Sequence, residues 1–206
     1  MSARYPIPSA ALHRTENSVR RSLFITSTAH APSIEAARAF IETIRQEFPD
    51  ATHNCWAFAA GAPEQTAQVG FSDDGEPHGT AGRPMLTVLL HSGMGELACV
   101  VTRYFGGVKL GTGGLVRAYQ SAVRENLESL PQQQRIIPAH VSIRIAYPHA
   151  DKVRRLLQSF EAQVQAEHYD SSITLTIMLP AEHLPTLQQH LADSTNGTAR
   201  LTQIIH

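Results

Sequence analysis

The sequence predicts an α+β protein built of two domains, and three observations carry that prediction. From Val141 to Ile205 the segments follow the order β-α-β-β-α-β, the ferredoxin-like arrangement. Ahead of them strands and helices alternate, and twelve of the thirteen glycines fall between Gly61 and Gly114, so the unusual backbone is confined to the first half. Between the halves lies Pro131-Gln132-Gln133-Gln134-Arg135, a polar stretch after a helical pattern with Pro138 close behind, which reads as an exposed connector. The expected domains are 1–134 and 138–206.

Each element has its own local reason. Ser22–Ala29 is rich in β-branched and apolar residues and reads as a strand. Ser33 stands at an N-cap position, with Ala36, Ala37, Phe40, Ile41 and Ile44 at helical spacing and Pro49 beyond the end. Asn54–Ala60 is a short apolar run bounded by Gly61 and Pro63, a second strand. The loop Ser72–Gly82 leads into a helix over Pro84–His91, where proline is tolerated in the first turn. Leu97–Phe105 is the strongest strand of this half. Leu115, Tyr119, Ala122, Val123, Leu127 and Leu130 mark an amphipathic helix beginning near Thr112. In the second half Val141–Ala146 alternates as a strand, and Val153, Leu156, Leu157 and Phe160 give a helix. Gln163–His168 and Ile173–Leu179 flank an Asp170-Ser171-Ser172 turn as a hairpin. Leu184, Leu187 and Leu191 give a second helix, and Arg200–Ile205 a final strand.

Composition narrows the function. The 206 residues are 42% hydrophobic and 17% charged, which suits a globular chain with a real core and argues against disorder. Seventeen Lys and Arg against eighteen Asp and Glu leave a net charge of −1, which excludes a polybasic binder but not a local basic site. Two cysteines cannot build a disulfide framework or a four-thiolate zinc site. The N-terminus lacks an apolar leader, and uncharged runs such as Ala51–Pro63 fall short of the ~20 residues that span a bilayer. A cytoplasmic protein without membrane contact is expected.

The segment most able to carry chemistry runs from Val101 to Leu115. A strand ends in aromatics, a glycine-rich turn follows, and a helix begins. Glycines let backbone amides approach an anion, and a helix N-terminus adds unpaired donors at the positive end of its dipole. Arg103 and Lys109 supply cations, and Tyr104, Gly106, Gly107, Gly111 and Thr112 complete the candidate anion or nucleic-acid site. Neither standard phosphate fingerprint is met: Thr112 stands where a Walker loop has lysine, and Val116 where GxGxxG has its last glycine. A packing turn that needs positive φ is the competing reading. In the loop Gly70–Gly82, Asp73, Asp74 and Glu76 could ligate a hard cation or move protons, although a solvated turn explains them as simply. No metal and no cofactor are expected, since the eleven histidines include no i,i+4 pair and no HExxH. His53 and Cys55 share a strand face without a third group to activate a thiol, so a packed cysteine is expected.

The run from Gly95-Glu96-Leu97 through Arg103-Tyr104-Phe105-Gly106-Gly107-Val108-Lys109-Leu110-Gly111 resembles the IMPACT/YigZ family, in its bacterial form. So do Ser22–Ile25, His53-Asn54-Cys55-Trp56, Ser72-Asp73-Asp74-Gly75-Glu76-Pro77 and Gly79-Thr80-Ala81-Gly82. The resemblance implies an N-terminal domain with the fold of ribosomal protein S5 domain 2 and a ferredoxin-like C-terminal domain. Both folds occur together near the tip of elongation factor G, which points to RNA or the translation machinery by analogy of fold. Eukaryotic members regulate translation under amino-acid starvation and carry an additional RWD domain, so their kinase pathway is not expected here. The resulting expectation is a binding or regulatory protein of the translation apparatus, contacting RNA, the ribosome or a translation-associated protein. The alternative is an enzyme acting on a phosphorylated or nucleotide-like small molecule. No complete catalytic set is visible, which disfavours the enzyme.

Overall fold

The computed structural model describes residues 4–204, and they divide into two compact units. One runs from Tyr5 to Arg135; the other runs from Ile136 onward and includes Arg4.

The strands of the first unit are β1 (Arg4–Pro8), β2 (His13–Val19), β3 (Ser22–His30), β4 (His53–Ala59), β5 (Val69–Ser72), β6 (Leu97–Tyr104) and β7 (Gln132–Ile136), of which only the end residues Arg4 and Ile136 fall in the other unit. The helices are α1 (Ile34–Glu47), α2 (Gly82–His91) and α3 (Thr112–Ser129). Five strands form one sheet in the order β2-β3-β6-β4-β5, every neighbour antiparallel. Side chains alternate across a strand, so the central β6 feeds two cores. Leu97, Cys99 and Val101 pack with Met85 and Leu89 of α2 and Tyr119 and Val123 of α3. Ala98 and Val100 pack with Ala37, Ile41 and Ile44 of α1. Helices thus cover both faces of the sheet. As the sequence predicts, the Ser33 hydroxyl caps α1 by accepting from the Ala36 N–H at 3.1 Å.

The segment over Gln132–Gln134 departs from its expected role. It is exposed, but it is strand β7, paired with β1 in a separate two-stranded sheet. Backbone pairing fixes it without any apolar pattern. The ribbon is tied to the rest of the unit by Glu96, which is 5% exposed. Its Oε1 accepts from the Tyr5 hydroxyl of β1 at 2.7 Å and lies 3.2 Å from Arg135 Nε of β7, while Oε2 is 2.7 Å from His30 Nε2. Burial opposes ionisation of Glu96, but the His30 and Tyr5 hydrogen bonds and the Arg135 charge outweigh it and hold the carboxyl below its usual range. Burial beside that carboxylate pushes the Tyr5 hydroxyl up to about 12.

The second unit contains β8 (Pro138–Ile145), α4 (Ala150–Gln158), β9 (Gln163–Tyr169), β10 (Ile173–Pro180), α5 (Leu184–Ser194) and β11 (Arg200–Gln203). Its sheet order, β11-β8-β10-β9, places the first and third strands of the unit at the centre, all neighbours antiparallel, as in a ferredoxin-like domain. Val141, Ile143 and Ile145 of β8 and Leu175, Ile177 and Leu179 of β10 pack against Val153 and Leu157 of α4 and Leu187 and Leu191 of α5. The two-domain α+β architecture is therefore present. The expected final strand ends at Gln203, and Ile205 lies outside the described residues.

Candidate functional site

Register builds the site. On β6, Arg103 stands between Phe24 of β3 and His53 of β4. Arg103 and His53 share a cavity of about 460 Å³ with Glu76 and Pro77 of the acidic loop, Phe105 beyond β6, and Lys109 to Thr112 leading into α3. The glycine-rich segment and the acidic loop, considered separately in the sequence, are thus two walls of one pocket.

The loop wall is not a solvated turn. Glu76 is 7% exposed although its neighbours Gly75 and Pro77 are exposed. Its Oε1 accepts from Arg103 Nη1 at 2.5 Å and from the Tyr119 hydroxyl at 2.8 Å. Asp73 is spent on backbone: Oδ1 accepts from the N–H groups of Ala81 and Gly82 at the start of α2, at 3.0 and 2.9 Å, and Oδ2 from Gly79 at 2.8 Å. Burial alone would raise the Asp73 pKa, but the donors from Gly79, Gly82 and Ala81 prevail and lower it. Asp74 accepts from the Asn54 N–H at 2.7 Å and from Arg45 at 3.0 Å. The three carboxylates therefore point to three different partners, and among the described residues no group of His, Cys, Asp and Glu is arranged to hold a metal.

The expected cation pair also separates. Arg103 is only 5% exposed, donates to Glu76 and, at 3.2 Å, to the Ser22 hydroxyl, and lies 5.5 Å from the Phe24 ring centroid and 5.6 Å from that of Phe105. It is a buried member of the wall, where the sequence suggested a solvent-facing contact. Its Nε is buried without a hydrogen-bond partner among the described residues. Lys109 and Thr112 are exposed, and Tyr104 turns away to donate to Asp50 at 2.9 Å.

The glycines divide by role. A Cβ on Gly106 would fall 2.0 Å from the Arg21 carbonyl oxygen, so packing alone requires glycine there. Gly107 and Gly111 have open space around them but positive φ, +82° and +73°. Gly111 is the N-cap of α3 and provides no side-chain bond; the first intrahelical bond runs from the Leu115 N–H to the Gly111 carbonyl at 2.9 Å. The N–H groups of Thr112, Gly113 and Gly114 precede that bond, at the positive end of an 18-residue helix.

Two contributors have a place in the pocket that the sequence reading did not assign. Tyr119 looks like one more apolar position of α3, yet its hydroxyl bridges Glu76 and the Cys55 thiol. His53 gains its place only from its register beside Arg103. Its Nδ1 lies 2.8 Å from the Asp74 carbonyl oxygen, which can only accept, so that nitrogen carries the proton. In the neutral ring Nε2 then presents a lone pair, 3.9 Å from Glu76 Oε2. Cys55 is fully buried and donates to the Asp73 carbonyl; burial, reinforced by nearby carboxylates, pushes its thiol far up, so it is no nucleophile. Burial likewise pushes Cys99 up to about 12.

An antiparallel sheet covered by helices on both faces and holding a pocket, joined to a ferredoxin-like domain, defines a two-domain α+β protein. Comparison with known proteins matches the Impact N-terminal domain to residues 20–127 and a domain of unknown function (DUF1949) to residues 143–198. The chain belongs to the IMPACT family. It is 41% identical to the IMPACT family member YigZ of Escherichia coli (strain K12), over 96% of this chain and 97% of that protein. An IMPACT family member from Haemophilus influenzae is 37% identical over 95% of this chain and 94% of its own length. A crystal structure of a hypothetical protein, 39% identical, superposes with a TM-score of 0.67 and full coverage of both chains.

Proposed function

We propose that this protein is a regulatory factor of the translation apparatus that binds RNA through the face around Phe105 and the start of α3. One observation carries the reading: the uncapped N-terminus of α3 opens beside an exposed lysine, Lys109, and an exposed aromatic ring, Phe105, which is 46% exposed. Amide donors and a cation suit a phosphate, and an exposed ring suits a stacked base. The near-neutral overall charge leaves affinity to such local contacts. Among the described residues no helix is long and apolar enough to cross a membrane. Single-stranded RNA oligonucleotides titrated by fluorescence anisotropy test the proposal. Lys109→Ala should weaken binding and lower the salt slope by about one phosphate contact, while Phe105→Ala should weaken binding by about 1–3 kcal/mol with the slope unchanged. Affinity unaltered by both substitutions would refute it.

A further inference from the structure

The floor of the pocket holds Glu76 Oε2, which no donor among the described residues meets, and beside it His53 Nε2, an acceptor in the neutral ring. Both hydrogen bonds to Glu76 among the described residues fall on Oε1, and Oε2 faces His53 Nε2 at 3.9 Å. With Nδ1–H donating to Asp74, the neutral imidazole cannot donate to that carboxylate. Two adjacent acceptors in a partly dry wall call for a ligand group with two donors. Glu76 is itself more than nine-tenths buried, so the arrangement is built into the core and is not a surface accident. Elsewhere on the same pocket the chemistry is the reverse. The amides at the start of α3 and the Lys109 ammonium form a donor set for an anion. Phe105, Pro77, Leu110 and Leu115 supply the apolar part of the lining.

Resting on the RNA-binding reading of this same face, we infer that the pocket receives one ribonucleoside monophosphate unit. Its phosphate lies at the N-terminus of α3 beside Lys109, its ribose diol on Glu76 Oε2 and His53 Nε2, and its base against Phe105. A vicinal diol presents two hydroxyl donors side by side, which inorganic phosphate lacks and a 2′-deoxynucleotide halves. The cavity of about 460 Å³ is of the size that encloses small ligands. The 2′-hydroxyl becomes the group by which the protein distinguishes RNA from DNA. The unit could be a free nucleotide or the 3′-terminal residue of an RNA strand, the strand position at which both ribose hydroxyls are free.

Calorimetric titration of the full chain with AMP, 2′-deoxy-AMP and adenosine tests the inference. AMP should bind at submillimolar concentration, with 2′-deoxy-AMP and adenosine each at least about tenfold weaker, because a site built to pair a hydroxyl rejects the analogue lacking it and adenosine leaves the donors at α3 and Lys109 without their anion. His53→Ala should reduce AMP to the level of 2′-deoxy-AMP while leaving 2′-deoxy-AMP unchanged. Lys109→Ala, at an exposed position that does not endanger the fold, should weaken both nucleotides by the same factor. Equal affinity for AMP and 2′-deoxy-AMP, or no AMP binding at millimolar concentration, would overturn the assignment. An RNA tetranucleotide with a free 3′-terminal ribose that displaces AMP identifies a strand end as the source; one that binds without displacing AMP, AMP discrimination being intact, identifies the free nucleotide. RNA binding that depends on Phe105 and Lys109 without any AMP binding would remove this inference and leave the RNA-binding face standing. Ribose discrimination without RNA binding would do the opposite.

Discussion

Replacing Asp73 by alanine is the sharpest probe of how the acidic loop is held. The substitution strips the acceptor from three backbone N–H groups at once, Gly79, Ala81 and Gly82, two of them at the start of α2. A hydrogen bond to a charged group contributes about 1.5–3 kcal/mol, and loss of a helix cap alone costs about 0.5–2 kcal/mol. The three bonds are not independent, since two share one oxygen and water re-enters a side chain that is 13% exposed. The expected loss for Asp73→Ala is therefore about 3–4 kcal/mol. Asp73→Asn retains a neutral acceptor and should lose about 1–2 kcal/mol. Because the folded-state pKa of Asp73 is depressed, its contribution is fully present above the ordinary carboxylate pKa of ~3.9 and is lost as pH falls through the lower folded value. The single tryptophan, Trp56, lies on β4 within the first unit, so its fluorescence in urea follows that unit selectively. The difference between wild type and Asp73→Ala should be full at about pH 7 and narrow at about pH 3. A loss below about 1 kcal/mol at neutral pH, or a difference that does not narrow in acid, would refute the capping argument.

Two other substitutions follow from the pocket walls. Glu76→Ala leaves the Arg103 charge buried without its counter-ion and should cost about 3–5 kcal/mol in the same urea assay, with Glu76→Gln losing distinctly less. Gly106→Ala drives a Cβ against the Arg21 carbonyl and should lower stability by at least about 2 kcal/mol, whereas Gly107→Ala meets only an unfavourable φ and should cost about 1 kcal/mol, an order that thermal melts will check.

The ferredoxin-like unit was legible because its strands alternate: β10 buries every second residue against helices, the two-residue period that sequence reading detects. The helix α1 was equally plain, with its apolar stripe and its Ser33 cap. β2, β5 and β7 were not. β2 is polar along its length and lies at a sheet edge, β5 has four residues, and β7 is exposed at every position. Backbone pairing, not side-chain burial, places them, and pairing leaves no local pattern. At the site, the glycine-rich turn and the start of α3 were visible as chemistry. The burial of Glu76 was not, because it depends on Arg103 and Tyr119, distant in sequence and brought close only by the sheet and α3. An acidic residue among Asp, Gly and Pro looks solvated until its counter-ion is known.

The β1–β7 ribbon joins the first and last strands of its unit, with Glu96 as the knot between them. During synthesis, β1 emerges from the ribosome long before its strand partner β7, and the Tyr5 and Ile7 side chains it buries have no finished surface to occupy. The five-stranded sheet and its helices can assemble as soon as α3 is out, but the unit is sealed only when Gln132–Ile136 has been made. Closure is thus timed by the chain itself, and the nascent protein carries an unsatisfied strand until the second unit begins to be translated.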